Sequence, residues 1–256
     1  MVLEFRSVTK EFASRTGQVL RAVSDISFRV RKGEFVAVVG PSGCGKSTIL
    51  SMTAGLYQPT RGEVLVSDEV VRGPNAHVGF MLQKDLLLPW RNILSNVEFG
   101  LEARGVPKAA RRERAMAELK RCHLAGFESH FPYQLSGGMR QRAALARTLA
   151  VEPEIVLLDE PFSALDAQTK LLLQNSFAAT IAESAKTTLL ITHDLAEAVL
   201  MSDRILVLSE RPGTVVAEIT IDLPHRDQPL RRRLMPEVNE YAGQLFKHLK
   251  LEERAA

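Results

Sequence analysis

The sequence predicts an α/β protein built on a largely parallel sheet. Three observations predict it. EFVAVVG, EIVLLDE and TTLLITH are strand-length apolar runs without alternation, as in strands buried on both faces. Helical patterns separate them, so strand and helix alternate along the chain. The first run also leads into GPSGCGKST, a glycine-rich turn set between a strand and a helix.

The elements follow in order. VLEFRSV and ISFRV read as strands. EFVAVVG is the first buried strand; Gly40 ends it and a helix begins near Gly45. EVLVSDEVV and HVGFMLQ read as further strands. A helical block over about residues 85–150 is inserted between core strands, and LSGGMRQR opens its last helix. The strand EIVLLDE, the helix AQTKLLLQNSFAATIAES, the strand TTLLITH and the short helix LAEAVLMS continue the core. DRILVLS and GTVVAEITI are its last strands. The expected division is one domain over 1–228, containing the helical subdomain, and a helical tail over 229–256.

Composition sets bounds. With 256 residues, 45% of them hydrophobic, the chain can bury a sizeable core. Lys and Arg number 33 against 30 Asp and Glu, too balanced to argue for nucleic acid, and no nucleic-acid partner is expected. Two cysteines, Cys44 and Cys122, give no disulfide framework and fit a reducing compartment. MVLEFRSVTK lacks the apolar core of a signal peptide, and no apolar run reaches the ~18 residues that span a bilayer. The expectation is a cytoplasmic chain whose membrane role comes through a partner. Arg111, Arg112 and Arg114, and Arg231, Arg232 and Arg233, read as solvated helix faces.

The chemistry gathers at strand ends. GPSGCGKST runs through Gly40, Pro41, Ser42, Gly43, Cys44, Gly45, Lys46, Ser47 and Thr48 and matches G-x-x-x-x-G-K-[ST]. In such a loop backbone N–H groups cradle phosphate oxygens and the following helix adds a positive dipole end. Lys46 suits the β- and γ-phosphates, the Ser47 hydroxyl Mg²⁺, and Thr48 an α-phosphate oxygen. Asp159 and Glu160 close EIVLLDE, Asp159 as a second Mg²⁺ ligand and Glu160 as the group that polarises the attacking water. His193 ends TTLLITH within reach of a γ-phosphate. Gln83 ends HVGFMLQ, where it meets Mg²⁺ or the water and joins the helical block. LSGG sets Ser136, Gly137 and Gly138 at a second helix start, also fit for an anion.

With these residues in view, the chain resembles the ATP-binding subunit of an ABC transporter over about residues 3–212. The phosphate loop, Gln83, LSGGMRQR, LLDEP, SALD and ITHD stand in that family's order. The resemblance implies a P-loop NTPase core of the ABC type, with an N-terminal antiparallel β subdomain and an inserted α-helical subdomain, and ATP and Mg²⁺ as cofactors. It also implies a head-to-tail homodimer, or a pair with a paralogous ATPase. Ser136, Gly137 and Gly138 of one subunit would then meet the γ-phosphate held by the other, with Asp166 of SALD between the two sites. Phe12 matches the position that stacks on adenine; ordinary core is its alternative.

LLLPW, SERPG and ITIDLPHR resemble the nitrate, sulfonate and taurine importer group. That likeness implies a permease seated near Leu88, Pro89 and Trp90, a solute-binding protein beyond it, and a place on the inner face of the cell membrane. Core packing is the alternative for Trp90. A soluble ABC ATPase, as in iron–sulfur assembly, is the alternative function. The transported solute is not legible in this chain.

Overall fold

The computed structural model describes residues 1–13 and 18–249. Its strands form two sheets. The first is antiparallel, in the order β2-β1-β4-β5. It contains β1 (Leu3–Ala13), β2 (Val19–Val30), β4 (Arg61–Val66) and β5 (Glu69–Val70). Phe5 lies opposite Phe28 in the β1–β2 register, and their rings stack 4.6 Å apart.

The second sheet runs β10-β9-β3-β8-β7-β6. Its strands are β3 (Phe35–Val39), β6 (Val78–Met81), β7 (Ile155–Asp159), β8 (Thr187–Ile191), β9 (Arg204–Leu208) and β10 (Val215–Thr220). All neighbours are parallel except β10, which pairs antiparallel to β9. Every residue of β3 is buried. The pleat sends Val36 and Val38 into one core and Phe35, Ala37 and Val39 into the other. The unbroken apolar runs of the sequence thus reflect a sheet covered on both faces.

The core on one face holds Ile49, Leu50 and Met52 of α1 (Lys46–Thr53) and the inner side of the antiparallel sheet. The core on the other holds α2 (Ile93–Ala103), α3 (Lys108–Arg121), α4 (Gly137–Ala150), α5 (Ala167–Glu183) and α6 (Leu195–Met201). The first three of these helices lie between β6 and β7. Ile93, Val97 and Leu101, spaced four apart, turn one stripe of α2 inward. Each such side chain contributes about 1.5–3 kcal/mol when fully buried. Phe162 and Phe177, edge to face at 5.0 Å, pin the segment after β7 onto α5. Among the described residues no helix is long and apolar enough to cross a membrane.

The described part of the tail holds two helices, α7 (Pro229–Arg232) and α8 (Glu237–His248), with Pro236 at the break; residues 250–256 lie outside the described residues. Arg232 departs from the sequence reading: it is not solvated. It is 1% exposed and donates to the carbonyls of Val199, Leu200 and Ser202 at the end of α6, and to those of Leu223 and Pro224. A helix C-terminus leaves carbonyls unpaired, and the guanidinium fork satisfies them. Charge spacing in the sequence does not distinguish this clasp from a surface arginine.

Candidate nucleotide site

The phosphate loop leaves β3 and enters α1 through Gly45, whose φ of 105° favours glycine. A Cβ there would stand 2.4 Å from Val23 Cγ1 and 2.9 Å from the Ala22 carbonyl, so the loop also sits too close to β2 for any other residue. The unpaired N–H groups at the start of α1 face the loop.

Beside it opens a cavity of about 320 Å³ lined by Phe12, Leu20, Ala22, Ser42, Gly43, Gly45, Lys46, Ser47, Thr48, Glu160 and Arg211. Lys46 Nζ donates to the carbonyls of Gly40 at 2.8 Å and Pro41 at 2.9 Å, which holds the ammonium across the loop. Cys44 is turned inward, and burial pushes its thiol up from the ordinary value. Phe12 is half-buried rather than core. Tyr57 stands edge-on to its ring at 5.3 Å, and Lys10 Nζ lies 5.0 Å from its centre.

Ser47 Oγ lies 3.4 Å from Asp159 Oδ1 at the end of β7. Burial, then the neighbouring Glu160 charge, raises the Asp159 carboxyl above its usual value. Among the described residues no cluster of three or more His, Cys, Asp or Glu stands ready for a metal. One hydroxyl and one carboxylate suit Mg²⁺, which keeps waters and shares substrate phosphates rather than sitting in an all-protein cage. The residues present fit that ion.

Glu160 has a φ of 45° and its N–H donates to the Ile191 carbonyl on β8. This kink carries its side chain to the cavity. His193 Nδ1 lies 3.0 Å from Glu160 Oε2. Next to it, Asp194 accepts from the Glu197 N–H and caps α6, while Lys170 of α5 reaches Asp194 at 2.8 Å and the buried Glu197 at 3.0 Å. Burial works to raise the Asp194 carboxyl, but the Lys170 ammonium and the cap hydrogen bond overcome it and hold it low.

Gln83 lies just beyond β6. Its Nε2 donates to Ser163 Oγ at 3.2 Å, and Ser163 Oγ donates to the Glu160 carbonyl at 3.0 Å. The glutamine is therefore tied to the backbone of Glu160 and does not line the cavity. Ser136 caps α4 by accepting from the Met139 N–H at 3.3 Å and is exposed. Gly137 is half-buried. Gly138 is buried against α5, where an added Cβ would meet Thr169 Cγ2 at 3.2 Å. Asp166 is exposed, accepts from the Thr169 N–H at 3.0 Å and caps α5; that bond holds its carboxyl low. None of Ser136, Gly137, Gly138 or Asp166 lines the cavity of its own chain.

Trp90 is 73% exposed and therefore not core; Pro89 is exposed and Leu88 half-buried. The loop that carries them is held from beneath. Buried Asn96 accepts from the Leu88 N–H at 2.7 Å and donates to the carbonyls of Leu88, Arg91 and Asn92. Arg147 of α4 donates to the carbonyls of Asp85 and Leu86, and Arg140 to the Asp85 carboxylate. The sequence reading gave no role to Arg140, Arg147, Asn96 or Lys170, whose partners lie on other segments of the chain. Arg211 stood within SERPG without a role of its own.

A parallel sheet with a phosphate loop after β3 and an acidic pair after β7 defines a P-loop nucleotide-binding protein. The profile of the ABC transporter family matches residues 23–163. The chain is 47% identical to an uncharacterized ABC transporter ATP-binding protein of Methanocaldococcus jannaschii, over 97% of this chain and 91% of that one. It is also 47% identical to the taurine import ATP-binding protein TauB of Yersinia pestis, over 80% of each. A solved dimeric ATP-binding cassette in a post-hydrolysis state, bound to ADP and Pi, is similar with a TM-score of 0.74. It is 32% identical, covering 86% of this chain and 99% of that one. The chain belongs to the ABC transporter family, as an ATP-binding, ATP-hydrolysing subunit that works with Mg²⁺.

Proposed function

We propose that this chain powers a membrane importer for taurine, a sulfonate, nitrate or a related small solute, as a peripheral subunit on the inner face of the cell membrane. The relatives named as taurine import ATP-binding proteins support that reading. Leu88, Pro89 and Trp90 form the contact with an integral membrane permease, and a solute-binding protein supplies the cargo.

Two copies pack head to tail around ATP. The phosphate loop and Lys46 of one hold the triphosphate, and Phe12 stacks on the base. Ser136, Gly137 and Gly138 of the other close over the γ-phosphate, with Asp166 at the interface. The position of these four residues away from the cavity of their own chain supports this arrangement.

Ser47 and Asp159 would hold Mg²⁺, and Gln83 would reach that ion or the attacking water on leaving Ser163; the ion would offset the charge of the phosphates. The observation that carries the hydrolytic reading is Glu160 on the cavity wall with His193 3.0 Å away. The histidine engages Oε2 and leaves Oε1 to orient the attacking water and take its proton. A carboxylate accepts, so Nδ1 carries a hydrogen, and Nε2 remains for the γ-phosphate.

The test is capture of the tagged protein from its native membranes in mild detergent, with mass spectrometry of what accompanies it. A multi-span membrane protein retained by the wild type and released by Trp90→Ala supports the importer. Soluble partners alone, with ATPase activity intact, point to a soluble ABC ATPase instead.

A further inference from the structure

The turn between β9 and β10 reaches into the site from a distant part of the sequence. Ser209 Oγ accepts from the Thr214 N–H at 3.0 Å, and the Ser209 N–H donates to the Thr214 carbonyl at 2.9 Å, which closes the turn. The Gly213 N–H donates to the Ala22 carbonyl at 3.0 Å, and its carbonyl accepts from the Ser24 N–H at 2.9 Å. A Cβ on Gly213 would lie 2.1 Å from the Cys44 carbonyl. The turn is therefore fastened to β2 and pressed against the back of the phosphate loop, at a distance only glycine permits.

Arg211 stands at the tip of this fastened turn. It is exposed and lines the same cavity as Lys46, Ser47 and Thr48. Among the described residues it makes no hydrogen bond and no ion pair. A charge left unpaired on a held turn beside a phosphate loop is placed for an anion. The guanidinium fork matches phosphate oxygens two at a time. The other cation of the cavity, Lys46, is occupied with loop carbonyls, and Glu160, its acid, is engaged by His193.

We propose that Arg211 is a nucleotide-binding residue whose guanidinium meets the phosphate chain of ATP and ADP alike. The inference rests on the nucleotide site proposed above. It adds to the phosphate loop a second positive group, carried by a turn that enters the sheet some 160 residues later along the chain, by the numbering of Lys46 and Arg211. Binding should thus depend on the β9–β10 turn as well as on the loop.

The experiment measures binding of MgATP and of MgADP by calorimetry to the wild type, Arg211→Ala, Arg211→Lys and Lys46→Ala. Thermal unfolding without nucleotide checks that each variant is folded. Arg211→Ala is expected to weaken both nucleotides about tenfold, the loss of one charge-assisted contact, and Arg211→Lys to recover part of it. Wild-type affinity in Arg211→Ala, with binding lost in Lys46→Ala, overturns the role of Arg211 and leaves the site standing. Wild-type affinity in both overturns the site and the inference together. An equal loss in Arg211→Ala and Arg211→Lys, with both folded, rejects a charge contact.

Discussion

His193 Nδ1 and Glu160 Oε2 stand 3.0 Å apart, joining the ends of β8 and β7 through two side chains. The histidine side chain is 58% exposed and the glutamate 22%, so the pair lies at the mouth of the site rather than in the core. In the proposed site the ring meets the Glu160 carboxylate through Nδ1 and turns Nε2 to the γ-phosphate. His193→Ala should therefore lower kcat about 100-fold while leaving the KM for ATP within a few-fold, the loss of a donor used mainly in the transition state. Steady-state kinetics on the folded variant checks this. Equal loss in kcat and affinity for ATP would place His193 in ground-state binding instead.

Glu160→Gln keeps the shape of the side chain and removes its basicity. Hydrolysis should fall by about 100-fold or more, with ATP binding retained. With turnover blocked, MgATP should hold two copies together. Light scattering would then show a dimer in MgATP and none without nucleotide. A variant that binds ATP and stays monomeric would remove the sandwich from the mechanism.

Trp90 and Asn96 separate partner contact from folding. Trp90→Ala removes an exposed ring and should leave stability within about 0.5 kcal/mol. Asn96→Ala strips the hydrogen bonds that hold the Leu88 backbone, and should cost about 1–3 kcal/mol. Both should weaken capture of the membrane partner, but only Asn96→Ala should lower the thermal midpoint. Full capture by Trp90→Ala would take that ring out of the contact.

Glu4 offers a test by pH. Arg6 and then Arg29, each 2.7 Å from a carboxylate oxygen, bring its carboxyl down from 4.5 to about 2. Between those values the folded chain binds fewer protons than the unfolded one. The contribution is complete above 4.5, fades as pH falls and is gone below about 2. Melting curves of the wild type and Glu4→Gln should therefore differ most near neutrality and converge in acid. A constant difference would assign the effect to packing.

The sheet was legible because both its faces are covered: Val36, Val38, Phe35, Ala37 and Val39 had to read as one apolar run. The phosphate loop was legible because its chemistry is local, written in consecutive residues. What lay hidden joins remote segments. Arg211 reaches the cavity across the sheet, and Arg232 is an arginine like Arg231 and Arg233 until α6 supplies its carbonyls. Asn96 reads as an ordinary polar residue of a helix start, though its amide organises the loop before it. The break at Pro236 was written in the sequence, but the amphipathic pattern on either side masks it.

One rigid body carries two of these features. Ser136 caps the first turn of α4, and Arg147, near its last turn, grips the loop ahead of Trp90. At 1.5 Å per residue the two residues are roughly 16 Å apart along the helix. If the first end answers to ATP and the second to a membrane partner, their free energies are linked through the helix. Whatever factor the bound partner adds to the affinity for ATP, bound ATP must return in full to the affinity for the partner. The cycle would then be driven by hydrolysis removing one side of that reciprocal bargain.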